Sequence, residues 1–395
     1  MHSADQKALD VMMDVCPIWS GLELARDVIP MAEQVILHAG PPLSPNRMAK
    51  AVSNSVVMAM LFEGWAADVQ QAQEMLRSGE VALRPAQDFG VVVPLASVLS
   101  PSMSVHVVTD RNNSDIRAFS TINGGMQHAL RLGLSNDQVL QHLRWLNGPF
   151  SETLRKSIPV DGVPLIPLAD HGLNQGDDCH GRTIAATAKL LDEIKVGLSS
   201  YAGGESAIQY INESPPFFLN LWMAATKCMM SAAKDVAASS VITAIGGNGI
   251  DFGLQLSGLT GRWFTVPAAP PAAIYADGFS EQDALGAIGD SAVVDALGLG
   301  AMVVNLAPEQ QKGLGPVLPD DARDLPQRLL GRRHEAFEQS GILFGLPARR
   351  IIQLQTSLII SLGVIDVDGE NGRVGGGIYR PPLAVFSQAC AALDL

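Results

Sequence analysis

The sequence predicts an α+β (mixed α/β) protein of more than one domain with a small helical subdomain, and three observations predict it. At 395 residues the chain exceeds what one small core usually organises. Runs with strand character gather between residues 81 and 122, helical spacing takes over after Gly125, and the second half mixes both. Apolar residues make up 47% and charged residues 17%, with 38 Gly and 24 Pro, which suits a folded, loop-rich chain. The expected division is 1–124 (mixed α/β), 125–160 (helical) and 161–395 (α/β, carrying the glycine-rich segments), with "SIPVDGVPLIP" at the second boundary.

Taken in order, "EQVILHAGPP" reads as a short buried strand running into a Gly-Pro turn, with His38 near its end. Ser44 and Pro45 read as cap and first turn of a helix continuing through Phe62. "DVQQAQEMLRSG" forms a second helix, stopped by Gly79. "GVVVPLASVL", "SVHVVTD" and "IRAFSTI" are strands. Ser135 caps a helix whose apolar face is Val139, Leu143 and Leu146. Further helices are expected at 180–195, 215–236, 290–298 and 326–339. Strands are expected at "SVITAIG", "DFGLQLSG", "RWFTVPA" and "SLIISLGVIDV", and an exposed loop at "APEQQKGLGPVLPDDARDLP".

The net charge of −13, from 27 basic and 40 acidic residues, opposes nucleic-acid binding in the absence of a basic patch. "PPFFLNLWMAATKCMMSAA" is nearly long enough to span a membrane, but Asn220 and Lys227 interrupt it, and Ser214 with Pro215 marks a buried helix instead. The four cysteines lie far apart without a C-x-x-C pair, and no basic segment followed by an apolar run opens the chain. A reduced, cytoplasmic setting is expected.

The densest cluster of reactive groups is "HGLNQGDDCHGRT", 171–183. With a helix starting near Cys179, Asp177 or Asp178 is its N-cap, worth about 1 kcal/mol, and His180 turns inward with Ile184, Ala188 and Leu191. A histidine fixed by a carboxylate beside an arginine and free N–H groups also suits acyl or phosphoryl transfer. A metal held by His171, Asp177, Cys179 and His180 fits no established zinc spacing. Cys179 is open to reading as a thiolate nucleophile or as a small buried residue.

"GGNGIDFGLQLSGLTGRWFT" sets Asn248, Ser257 and Arg262 among glycines, which suits either an anion site or tight turns. It matches no nucleotide-binding fingerprint. Asp290 reads as a helix cap or a substrate contact, His38 as structural or catalytic, and Arg380 in "GRVGGGIYRPP" as turn or site.

"LHAGPP", "FEGWA", "SPSM", "GDDCHGRT", "NGIDFGLQLSGLTGRWFTVPA" and "AIGDSA" together resemble the family of the YlbE (AllG) and YahG proteins, from about Pro30 to "GGGIYRPP". That resemblance implies a subunit of oxamate carbamoyltransferase, an oligomer working with AllH-like and FdrA-like subunits. It implies carbamoyl exchange between oxalurate and phosphate to give oxamate and carbamoyl phosphate; no cofactor is expected. The family pattern G-D-E-x-H-N-R-N falls on Gly176, Asp177, His180 and Arg182. Here Asp178 replaces Glu, Gly181 and Thr183 replace Asn, and "TINGG" carries Gly124 where the family has Glu. These departures point to a branch with its own carbamoyl or amide substrate.

The S-x-R-T-R and H-P-x-Q segments of the aspartate and ornithine carbamoyltransferases are absent, so a different fold is expected. His180, oriented by Asp177 or Asp178, is the leading acid/base candidate, with His38 behind it. Arg182, Gln175, His171, Asn248, Ser257, Arg262 and Asp290 are the substrate-binding candidates. A non-catalytic scaffold subunit and a CoA-dependent acyl transferase are the alternatives.

Overall fold

A computed structural model describes residues 2–122 and 124–393; Asn123 of "TINGG" lies outside the described residues. The apolar run "SVHVVTD" forms the strand Ser104–Asp110, buried at every position but Thr109. It occupies the middle of a five-stranded sheet ordered Val91–Val92, Arg117–Thr121, Ser104–Asp110, Pro17–Leu24, Val163–Pro164. All pairings are antiparallel except Val91–Val92 with Arg117–Thr121. A strand buried on both faces needs a cover on each, and the helix Phe217–Ala232 supplies one, packing across Ser104–Asp110 and Arg117–Thr121. Val163–Pro164, from "SIPVDGVPLIP", is stitched to Trp19 and Ile18 at the sheet's edge.

A four-stranded antiparallel sheet runs Phe264–Pro267, Asp251–Leu256, Ile242–Asn248, Ile288–Gly289. A three-stranded one runs Ala272–Tyr275, Arg373–Tyr379, Ile360–Ile365. A smaller three-stranded sheet centres on Val35–His38. Helices and mixed or antiparallel sheets make the protein α+β. One apolar core draws on residues from Ala8 to Cys390, including Phe150 and Leu154 of the 125–160 helices; a second gathers Ile36, Val56, Val98 and Leu143 with Ile365.

Several helix boundaries differ from the sequence reading. The helix expected from Ser44 starts at Lys50, because Ser44 and Arg47 close a turn and Arg47 reaches Asp251 at 2.9 Å. Asn136, not Ser135, caps Asp137–Trp145 by accepting from Val139 N. Residues 326–339 are helical only within Leu325–Leu329; beyond Gly331, Arg332–Arg333 pairs with Leu343–Phe344. The expected exposed loop at 307–326 contains the helix Pro308–Leu314, led by a proline at its first turn. Among the described residues no helix is long and apolar enough to cross a membrane.

Candidate functional site

The block 171–183 is not a helix start. Leu165–Asn174 ends before it and Ile184–Ser199 begins after it, leaving a loop drawn tight by two aspartates. Asp178 Oδ1 accepts from the backbone N–H of His180 (2.9 Å) and of Arg182 (2.8 Å), while Asp178 N and Cys179 N donate to Arg182 O. Cys179 bends the turn at φ +60°. Asp177 reaches forward and accepts from Ile184 N (3.1 Å) and Ala186 N (2.9 Å), so it caps the following helix across the loop. That helix end is therefore occupied, and the free N–H groups expected beside His180 are already bonded.

His180 does not pair with either neighbouring aspartate. Its Nδ1 lies 2.6 Å from Asp295 Oδ2, while Asp295 Oδ1 accepts from Ala301 N (2.8 Å) and Ser361 N (3.1 Å). Burial lowers the imidazole pKa, but the Asp295 charge and hydrogen bond, aided by Asp178, outweigh it and leave the pKa raised. Asp178, fully buried, is pushed up to about 6 by burial against its two N–H bonds. With Nδ1 committed to Asp295, Nε2 is the nitrogen with no protein partner among the described residues, and His180 lines a cleft of about 450 Å³.

Three arginines join His180 in that cleft. Arg182 lies 3.5 Å from Asp177 through Nε. Arg131 and Arg373 have no carboxylate partner among the described residues; each donates only to a nearby carbonyl, Gly125 O and Gly375 O, both at 2.8 Å. Burial and the Arg373 charge hold Arg131 down to about 10, an arrangement that an anion relieves. Arg373 is open along the cleft yet flanked by protein, and its pKa too is lowered by desolvation. Gly181 completes the approach: a Cβ there would collide with the side-chain amide of Gln310, which the helix Pro308–Leu314 brings over the loop.

The other sequence candidates are placed elsewhere. Asn248 ties its own turn, accepting from Ile250 N and Asp251 N and donating to Pro41 O. Ser257 donates to Ala233 O, and Arg262 is exposed, stacked 5.0 Å over Phe264. Arg380 pairs with Asp321. Gln175 ends the helix Leu165–Asn174 and His171 lies in its last turn; neither lines the cleft. His38 is buried, its Nδ1 on Ala39 O, and burial lowers it to about 4.

Asp290 is neither a helix cap nor a cleft residue. It accepts from Gly40 N, Val93 N and Gln87 Nε2, joining distant segments, and burial raises it to about 7. Gln87 also meets the buried Lys227, whose Nζ donates to Thr243 O at 2.8 Å. Cys179 is fully buried against Ala169 O, and burial among Asp178, Asp177 and Asp170 pushes its thiol well up, which opposes a thiolate nucleophile. Asp177, Cys179 and His180 face different partners, and no group of three or more His, Cys, Asp and Glu suited to a metal occurs among the described residues.

Sequence reasoning missed Asp295, Arg131, Arg373 and Asn220. A lone carboxylate in the apolar "AVVDAL" was a signal for the first, since an unpaired buried charge is rarely tolerated.

Comparison with known proteins agrees with this architecture and places the chain among relatives. A solved structure of a conserved protein of unknown function from Enterococcus faecalis V583 superposes with a TM-score of 0.93 at 26% identity, covering 99% of this chain and 97% of that one. The uncharacterized protein YahG of Escherichia coli (strain K12) is 30% identical over 400 residues, covering 98% of this chain and 84% of its own length. The oxamate carbamoyltransferase subunit AllG of the same organism is 30% identical over 393 residues, covering 95% and 94%. The family model described as oxamate carbamoyltransferase subunit AllG matches residues 81–291. With both relatives aligned along nearly its whole length and the family model matching over half of it, the chain belongs to the AllG family.

Proposed function

We propose that this chain carries the transfer site of a carbamoyltransferase subunit, exchanging a carbamoyl group between an oxalurate-like substrate and phosphate. The observation that carries the reading is the buried His180–Asp295 pair, which opens on a cleft holding two arginines without carboxylate partners among the described residues. Transfer between two anions needs their charges bound together and a proton delivered to nitrogen, and these groups match both needs.

In the direction of oxalurate cleavage, a phosphate oxygen attacks the carbamoyl carbon. The new C–O bond forms as the C–N bond to the oxamate nitrogen breaks. That nitrogen takes the proton from His180 Nε2, and Asp295 holds the ring through Nδ1–H. In reverse, neutral Nε2 accepts a proton from the oxamate nitrogen as it attacks carbamoyl phosphate. Arg182 and Arg373 neutralise phosphate and the developing charge, with guanidinium forks suited to phosphate and carboxylate.

A subunit role within a larger assembly, with AllH-like and FdrA-like partners, is part of this reading. Met126, Ile184 and Ile274 are exposed at 52%, 45% and 41% and all line the cleft, giving its mouth an apolar rim suited to a covering protein. Thermal melting with carbamoyl phosphate, phosphate and CoA tests the site. Stabilisation by carbamoyl phosphate that disappears in Arg182→Ala supports it, because ligand at 100 times Kd adds about 2.7 kcal/mol. Stabilisation by CoA alone favours an acyl transferase, and no shift with any of them favours a scaffold.

A further inference from the structure

The end of the cleft at Gly124 holds polar groups that no proton-transfer step employs. Asn220, 6% exposed, lines the cleft, and its side-chain amide has no hydrogen-bond partner among the described residues. The Tyr210 hydroxyl is buried behind it; burial raises its pKa, opposed by the Ser214 side chain and the Arg131 charge. Arg131, free of any carboxylate among the described residues, reaches Gly125 O beside them. Buried polar groups without partners are costly in an empty protein and become satisfied when a ligand supplies the missing atoms.

Gly124 leaves the space for that ligand. A Cβ there would stand at ordinary contact distance, 3.4 Å from Asn220 Nδ2 and 3.6 Å from Tyr210 Oη, and would fill the space in front of the Asn220 amide. The loop is fixed from behind: Gly124 O lies 3.1 Å from His142 Nε2, and the His142 ring packs with Trp145 and Tyr210. Asn220 also stands in the first turn of Phe217–Ala232, whose N-terminus opens on the cleft through Pro215 and Pro216 and adds a positive potential.

Resting on the transfer reading above, we propose that Asn220 Nδ2 and the Arg131 guanidinium form a carboxylate subsite in the cleft beside Gly124. It seats the carboxylate of the small amide substrate and limits that substrate's size. Arg182 and Arg373 are then left to the phosphoryl group. The recognised class is a short carboxylate flanked by a carbonyl, as in oxamate or pyruvate.

The test is isothermal titration of the whole chain with oxamate, pyruvate and phosphate separately, comparing wild type with Gly124→Ala and the isosteric Asn220→Asp. Melting curves serve as the fold check. Gly124→Ala places a methyl group in that space at ordinary contact distance, and Asn220→Asp turns a donor into a repelling charge. Oxamate and pyruvate affinity is expected to fall about 10-fold or more in both variants, the scale of one hydrogen bond to a charged group. Phosphate affinity stays within about 2-fold, being held by other residues. Unchanged oxamate affinity in both variants, or no oxamate binding by the wild-type chain, overturns the subsite. If oxamate binding is unchanged in the variants while His180→Ala abolishes turnover, the subsite falls and the transfer reading stands. If the variants lose oxamate while His180→Ala keeps full turnover, the subsite stands and the transfer chemistry falls.

Discussion

His180 Nδ1 and Asp295 Oδ2 meet at 2.6 Å across 115 residues of sequence, and both side chains are buried. Asp295 fixes which imidazole nitrogen faces the cleft and raises the proton affinity of the ring. Asp295→Asn removes the charge and keeps the shape. Turnover is expected to fall by about 10² or more, the scale of general acid–base catalysis.

The pH profile carries the sign of that interaction. His180 acts as an acid in its protonated form, so activity in the cleavage direction declines as pH rises through the folded-state pKa, which lies above 6.5. Asp295→Asn withdraws the raising charge and moves that alkaline limb to lower pH. The same pairing stabilises the fold fully below the unfolded pKa of 6.5 and is lost as pH rises through the folded value. A pH–rate profile whose alkaline limb does not move in Asp295→Asn removes Asp295 from this role.

Arg373→Ala and Arg131→Ala each delete a cation without leaving a buried carboxylate behind. KM for the anionic substrate is expected to rise by about 10- to 100-fold, one charge-assisted contact each, with melting temperatures little changed. Steady-state kinetics beside melting curves check this. Loss of folding instead of affinity would mark these arginines as structural.

Asp177→Asn separates cap from catalyst. The wild-type carboxylate bonds Ile184 N and Ala186 N with different oxygens, and the amide keeps only one acceptor. Stability is expected to fall by about 1–2 kcal/mol. Turnover per folded molecule is expected to stay within about 10-fold of wild type, whereas a lost proton-transfer group costs about 10²- to 10⁴-fold.

Asp290→Asn tests the buried network behind the cleft. Its folded pKa is raised from 3.8 to about 7, so its contribution to stability is full below 3.8 and lost as pH climbs through about 7. The variant loses an acceptor, melts lower, and shows a shallower loss of stability between pH 4 and 7. Some slope persists, because Asp178 is raised in the same direction to about 6.

What was legible in the sequence follows the range of the interactions. Strands such as Ser104–Asp110 and the helix Phe217–Ala232 declare themselves by local apolar pattern, and His180 and Arg182 by crowding in one short block. Asp295, Arg131 and Asn220 come to the site only through packing between segments distant in sequence, Asp295 reaching His180 across 115 residues, and each sits in a locally ordinary helical or turn pattern. In "GRVGGGIYRPP" both arginines were visible. Strand alternation and the register with Ile365 turn Arg373 to the cleft, while Arg380, just past the strand, finds Asp321. Asp177 and Asp178 were noticed for the right chemistry and the wrong partner: their oxygens hold the loop and the next helix, leaving His180 to a carboxylate from elsewhere.

The most direct measurement is the rate of oxamate release from oxalurate and phosphate by the assembled enzyme containing wild-type chain or His180→Ala. The variant is expected to fold, assemble and lose turnover by about 10² or more if His180 moves the proton. Wild-type turnover with His180→Ala would contradict it and move the chemistry to another subunit.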